Sequence, residues 1–108
     1  MPRKLFHYLR NERRANALTQ SDVAALLDTE WRSRVSRYER NRALPPLKTA
    51  LAYEYIFGKP GSQLFEPIYE QVVDEVKTRA RHLLAHLAPE KTALERRRRE
   101  SLERIAAS

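Results

Sequence analysis

Residues 32–42 read RSRVSRYERNR, with five arginines in eleven positions and serines between them. A guanidinium offers a planar fork of donors that fits phosphate oxygens and the O6/N7 edge of guanine, and a serine hydroxyl bonds to either. On a helix turning about 100° per residue, Trp31, Val35 and Tyr38 share one side. Ser33, Ser36, Arg37 and Arg40 fall on the other, Arg32 lies at its edge and Glu39 flanks the apolar stripe. The chemistry of such a face is hydrogen bonding to a polyanion. Bond-making finds no comparable signal: a glycine-rich phosphate loop, a nucleophile-elbow motif and cysteine are all missing, and the carboxylates are scattered along charged stretches. The sequence therefore predicts a binding protein rather than an enzyme.

The elements that must carry this face are also legible. From Gln20, the apolar residues Val23, Ala24 and Leu27 mark one side of a short helix, with Thr19 as N-cap and Asp22 in its first turn. Ala24 is small enough to let a second helix approach closely. Asp28, Thr29 and Glu30 then form a turn, and the arginine-rich helix starts near Trp31. Two short helices joined in this way are how a small domain presents side chains to the DNA major groove.

In the rest of the chain, a first helix over about 3–16 is expected to bury Leu5, Phe6 and Leu9. A fourth, over about 47–57, is expected to turn Leu47, Leu51, Tyr55 and either Ile56 or Phe57 to the core, with Tyr53 and Tyr55 serving only packing. Gly58-Lys59-Pro60-Gly61 is the clearest break, and a short helical turn follows at 62–65. Pro67 suits the first turn of a longer helix running to about Ala88. Along it Tyr69, Val73, Val76, Ala80, Leu83 and Leu87 recur at spacings of 4, 3, 4, 3 and 4, the seam that two packed helices require. After Pro89, residues 90–106 read as a more charged helix. The fold class is all-α, with a helix-turn-helix domain over 1–65 and a helical extension over 66–108.

Charge follows the same division. The net charge is +7. Residues 1–46 hold ten Lys and Arg against five Asp and Glu, residues 47–89 five of each, and residues 90–108 six against four. The excess falls on the half with the arginine-rich helix, as an electrostatic footprint for nucleic acid would. No apolar run approaches about 18 residues and the N-terminus has no apolar signal core, so a cytoplasmic location without membrane contact is expected.

Residues 5–65 resemble the lambda-repressor-like helix-turn-helix family, the Xre/Cro type. Arg13 and Gln20 keep the family's seven-residue spacing between the arginine ending its first helix and the glutamine opening its second. Val23-Ala24 stands for its Leu-Ala, and Val35-Ser36-Arg37-Tyr38-Glu39-Arg40 for its Ile-Ser-Arg-x-Glu-Arg. Pro45, Phe57-Gly58 and Leu64-Phe65 match its later landmarks without a gap. The resemblance implies double-stranded DNA as partner, with Gln20, Arg40, Asn41 and Arg42 on the sugar–phosphate backbone and Arg32, Ser33, Ser36 and Arg37 toward the bases. It also implies an Arg13–Glu39 ion pair between the first and third helices, expected to be partly exposed and worth no more than about 1 kcal/mol. The chain departs in three places. Leu27 to Val35 is one residue longer than usual, which leaves open which of Arg32, Ser33 and Arg34 read bases. Asp28 and Asn41 stand where the family has glycines; asparagine is the next best residue for a left-handed helix end.

Several features carry two readings. The 69–87 seam serves a homodimer, which two half-sites one helical turn apart would require, or folds back on its own domain. Arg96–Arg99 tracks phosphates or, with Glu90, Glu95, Glu100 and Glu103 at pairing distance, forms a solvated helical face, the favoured reading. His82 and His86 have helical metal-pair spacing but no accompanying motif, so neither a metal nor a cofactor is expected. Trp31 wedges against DNA or packs in the core; its register favours packing. Two functions follow: a transcriptional regulator, in its simplest form a dimeric repressor on a two-fold symmetric operator, or an antitoxin-type protein that neutralises a partner protein through its C-terminal helices and represses its own promoter. No small-molecule substrate is evident.

Overall fold

A computed structural model describes residues 8–27 and 32–107. Trp31, the Asp28–Glu30 turn, Leu5 and Phe6 lie outside the described residues. Among the described residues seven α-helices follow in order: α1 Leu9–Ala15, α2 Gln20–Leu26, α3 Arg32–Glu39, α4 Leu47–Phe57, α5 Gly61–Leu64, α6 Glu66–Ala85 and α7 Ala93–Ala107. There is no strand among the described residues, and no helix there is long and apolar enough to cross a membrane. The chain divides into two compact units, the first reaching Tyr69 and the second beginning at Glu70 within α6.

The helix ends of the first unit follow local chemistry. Thr19 and Asp22 form a reciprocal capping box: the Asp22 amide donates to Thr19 Oγ1 over 3.0 Å, and the Thr19 amide donates to Asp22 Oδ2 over 2.9 Å. That bond holds the Asp22 carboxyl below its ordinary value. Asn41 ends α3 with φ of 61°, while its amide reaches the Tyr38 carbonyl and the Arg42 amide the Arg37 carbonyl. This is a Schellman closure with asparagine in the left-handed position. Ala17 closes α1 in the same way at φ of 57°, although alanine carries the Cβ that disfavours that backbone.

The core of this unit gathers Leu9, Val23, Ala24, Val35, Tyr53, Phe57 and Leu64, with Leu18, Leu27, Tyr38, Ile56 and Phe65 packed around it. Ala24 is only 5% exposed, and α2 and α3 pack against each other. The amide of Tyr8 donates to the Leu64 carbonyl over 2.8 Å, tying the start of α1 to α5.

The fourth helix corrects the sequence expectation. Leu47, Leu51 and Tyr55 do not enter the core; they are 76%, 54% and 91% exposed, while Tyr53 and Phe57 are buried. Only Lys48, Thr49 and Glu54 interrupt the apolar residues of α4, so apolar side chains lie nearly all round it and periodicity cannot choose a face. Aromatic packing decides. Tyr53 meets Tyr38 edge-on with centroids 6.4 Å apart and stacks on Phe57 at 5.7 Å, and such rings bring more buried area than the leucines opposite.

The second unit has a sparser interior. Ala80 is its one buried residue among those described, and none of α7 is buried. Arg81 donates to the Ala106 carbonyl over 3.2 Å, joining the end of α6 to the end of α7. The long helix stops at Ala85, three residues before the expected Ala88, and Pro89 follows in the connection.

Candidate nucleic-acid interface

The exposed face of α3 is held in place from behind. Val35 is fully buried against the core, and one turn later Glu39 is buried as well. Its carboxylate receives a two-point bond from Arg13, Nε to Oε2 at 2.7 Å and Nη2 to Oε1 at 3.1 Å. Arg13 Nη1 also donates to the Leu18 carbonyl over 3.0 Å, so one guanidinium joins α1, the loop before α2 and the end of α3. Hydrogen bonding to Glu39 holds Arg13 above its ordinary pKa, against the opposing effect of burial.

This pair is part-buried, drier on the carboxylate side than the sequence suggests. The Arg13 and Glu39 side chains are 11% and 3% exposed. Spacing can place two residues opposite each other, but only packing decides how much water reaches them. A bidentate pair this dry costs about 3–5 kcal/mol to break from one side, since the remaining charge is stranded.

Gln20 completes the cluster. Its Nε2 donates to Glu39 Oε1 over 3.2 Å, so the first residue of α2 is oriented by the same carboxylate. No local pattern signals this link, since Gln20 and Glu39 lie 19 residues apart. Tyr53 lies beneath. Burial pushes its phenol well above the ordinary value, with the Glu39 charge acting in the same direction. Its hydroxyl has no hydrogen-bond partner among the described residues.

Outward from this support, Arg32, Ser33, Arg34 and Arg37 are exposed and Ser36 is half-buried. Arg40 and Arg42 are exposed just past the helix, with Asn41 half-buried between them. Four residues proposed for bases and three proposed for phosphate thus lie on one helix and its Schellman closure, and the fourth phosphate residue, Gln20, joins them through Glu39. Arg34 is a further exposed arginine on α3, one of the three residues that the longer Leu27–Val35 spacing leaves open for base contact.

The sequence pattern of the family described as helix-turn-helix matches residues 9–64, just over half of the chain. The chain belongs to the lambda-repressor-like helix-turn-helix family. Its helix-turn-helix unit is that of a DNA-binding transcriptional regulator. No curated protein matches the chain.

Outside the helix-turn-helix unit, the seam residues have mixed surroundings. Tyr69, Val76 and Leu83 are exposed, Val73 and Leu87 half-buried, and Ala80 buried at 3%. In the arginine run, Arg99 bonds Glu90 over 3.0 Å, and the Glu95 carboxylate instead accepts from the Lys91 amide at the helix entry. Glu90 is held below its ordinary value, chiefly by a backbone hydrogen bond. His86 Nδ1 lies 2.9 Å from the His82 carbonyl oxygen. No group of three or more metal-binding side chains occurs among the described residues.

Proposed function

We propose that this protein is a cytoplasmic, sequence-specific transcriptional repressor that binds a two-fold symmetric operator as a dimer. One observation carries the reading: α3 turns Arg32, Ser33 and Arg37 to solvent while Val35 and Glu39 are anchored in the interior behind them. A helix fixed from behind holds its outer side chains in a set register, which base readout needs and simple phosphate attraction does not. Arg32, Ser33, Ser36 and Arg37 face the groove, with arginine to guanine the principal specific contact. Gln20, Arg40, Asn41 and Arg42 hold the backbone. The exposed seam residues Tyr69, Val76 and Leu83 are available to a second copy, whereas Ala80 serves the unit's own packing.

The test is selection from a random duplex library, run beside an Arg32→Ala/Arg37→Ala variant. The expected result is an enriched two-fold symmetric motif that the variant loses. Binding with no enriched motif, weakened steeply by salt, would overturn sequence-specific recognition. The antitoxin reading draws on the exposed apolar residues of α6, Val72 included. A neighbouring co-transcribed gene for a small RNase-like or kinase-like protein would favour it.

A further inference from the structure

His82 and His86 stand one turn apart at the end of α6, and both are exposed. Spacing alone makes them a weak metal pair, but the placement of the rings adds two facts. His86 Nδ1 lies 2.9 Å from the His82 carbonyl oxygen, which can only accept a hydrogen bond. Nδ1 therefore carries the proton of the neutral ring, and Nε2 keeps its lone pair. A backbone carbonyl holding the far nitrogen is the usual support of a metal-ligating histidine. The second fact is the separation of the ring centres, 4.6 Å with the planes tilted by 45°. An ion about 2.1 Å from each Nε2 lies roughly 3.2 Å from each ring centre, so ligands about 90–109° apart put the centres about 4.5–5.2 Å apart. The observed separation falls at the narrow end, which suits adjacent positions on an octahedral or square-planar ion better than a tetrahedral one.

We propose that His82 and His86 chelate a divalent late transition ion, Ni²⁺ or Cu²⁺, through their Nε2 atoms, with water filling the other positions. The surroundings favour a cation. The pair lies on the C-terminal turn of a 20-residue helix ending at Ala85, where the helix dipole and the last carbonyls attract positive charge. No lysine or arginine occurs within residues 82–88, and Arg81 is bonded to the Ala106 carbonyl. Arg79, one turn before His82, opposes the ion and keeps its affinity modest. The makeup of the second unit points the same way. From Glu70 onward it is close to the ~40 residues below which a fold usually takes a disulfide, a metal or a partner. It has no cysteine, and Ala80 is its one buried residue among those described. A chelate closed across one turn binds the folded helix and not the unfolded chain, so it stabilises the end of α6 by mass action.

The test uses the untagged full chain, whose three histidines are His7, His82 and His86 and which has no cysteine to compete. Titration calorimetry with nickel(II) chloride is expected to give one ion per chain with micromolar affinity. His82→Gln and His86→Gln should each weaken binding by more than about tenfold, while His7→Gln leaves it unchanged. Both positions in α6 and its end are exposed and glutamine is a good helix former, so helicity should persist. A second readout needs no variant: in the natural chain Ni²⁺ should perturb the ring-proton resonances of His82 and His86 together and spare those of His7. Saturating Ni²⁺ should also slow exchange of the His86 and Leu87 amides, which bond the Leu83 and Leu84 carbonyls. Absence of binding at millimolar Ni²⁺ would overturn the proposal. So would binding that persists in both glutamine variants, or that perturbs one ring without the other, since each places the ion outside the pair. No DNA enters these measurements, so failure here is separate from failure of the operator reading.

Discussion

The two units of this chain use charge in opposite ways. In the first, Arg13 and Glu39 meet in a nearly dry site where Gln20 and the Leu18 carbonyl satisfy further bonds. In the second, Arg99 and Glu90 meet at the surface, 27% and 35% exposed. Both are arginine–carboxylate contacts of similar length, yet water separates them energetically. The first fixes the position of α3; the second is a solvated contact of the kind that adds little to stability. A contact's contribution depends on what surrounds it more than on its partners.

That contrast can be broken most directly at the two carboxylates. Glu39→Ala should destabilise the first unit by about 3–5 kcal/mol, while Glu90→Ala should leave stability close to unchanged, both read by denaturant unfolding. Equal losses would mean that the buried pair is as well solvated as the exposed one. Packing gives the next largest difference. Ala24→Leu forces a larger side chain between α2 and α3 and should cost about 1–3 kcal/mol, with loss of duplex binding as α3 is displaced. An exposed alanine such as Ala25 should accept leucine with little change in melting temperature.

Smaller effects sharpen the comparison within the first unit. Tyr53→Phe removes a buried hydroxyl with no partner among the described residues and should raise stability by about 1 kcal/mol. Ala17→Gly relieves the left-handed backbone and should add about 0.5–1 kcal/mol, seen as a higher melting temperature. The smallest effect is acid dependence at the α2 cap. Because the folded state lowers the Asp22 pKa, its contribution is present above the ordinary aspartate value and is lost as pH falls through the folded one. Asp22→Asn should flatten that part of the stability profile at low pH and leave it unchanged near neutrality.

Much of the DNA-binding unit was open to inspection in the residues themselves. Thr19, Asp22 and Asn41 announce helix ends because caps are made by side chains a few positions away, and local chemistry needs no knowledge of the fold. The outward arginines and serines of α3 were legible for the same reason, since one helical period assigns them a side. The family signature in Arg13, Gln20 and Val35–Arg40 then placed these pieces in a known order.

Three things were decided only by the tertiary structure. The buried face of α4 was one, because a helix apolar nearly all round offers two stripes and only the position of Tyr38 selects Tyr53 and Phe57. The dryness of Arg13 and Glu39 was another, since solvent access depends on every element packed around them. The link from Gln20 to Glu39 was the third, joining residues that no local periodicity relates. Sequence by itself determined the helices, their caps and the charged outer face of α3, all governed by neighbours within a few residues. Packing between distant segments determined which apolar face is inside, how dry the ion pair is and which leucines remain exposed.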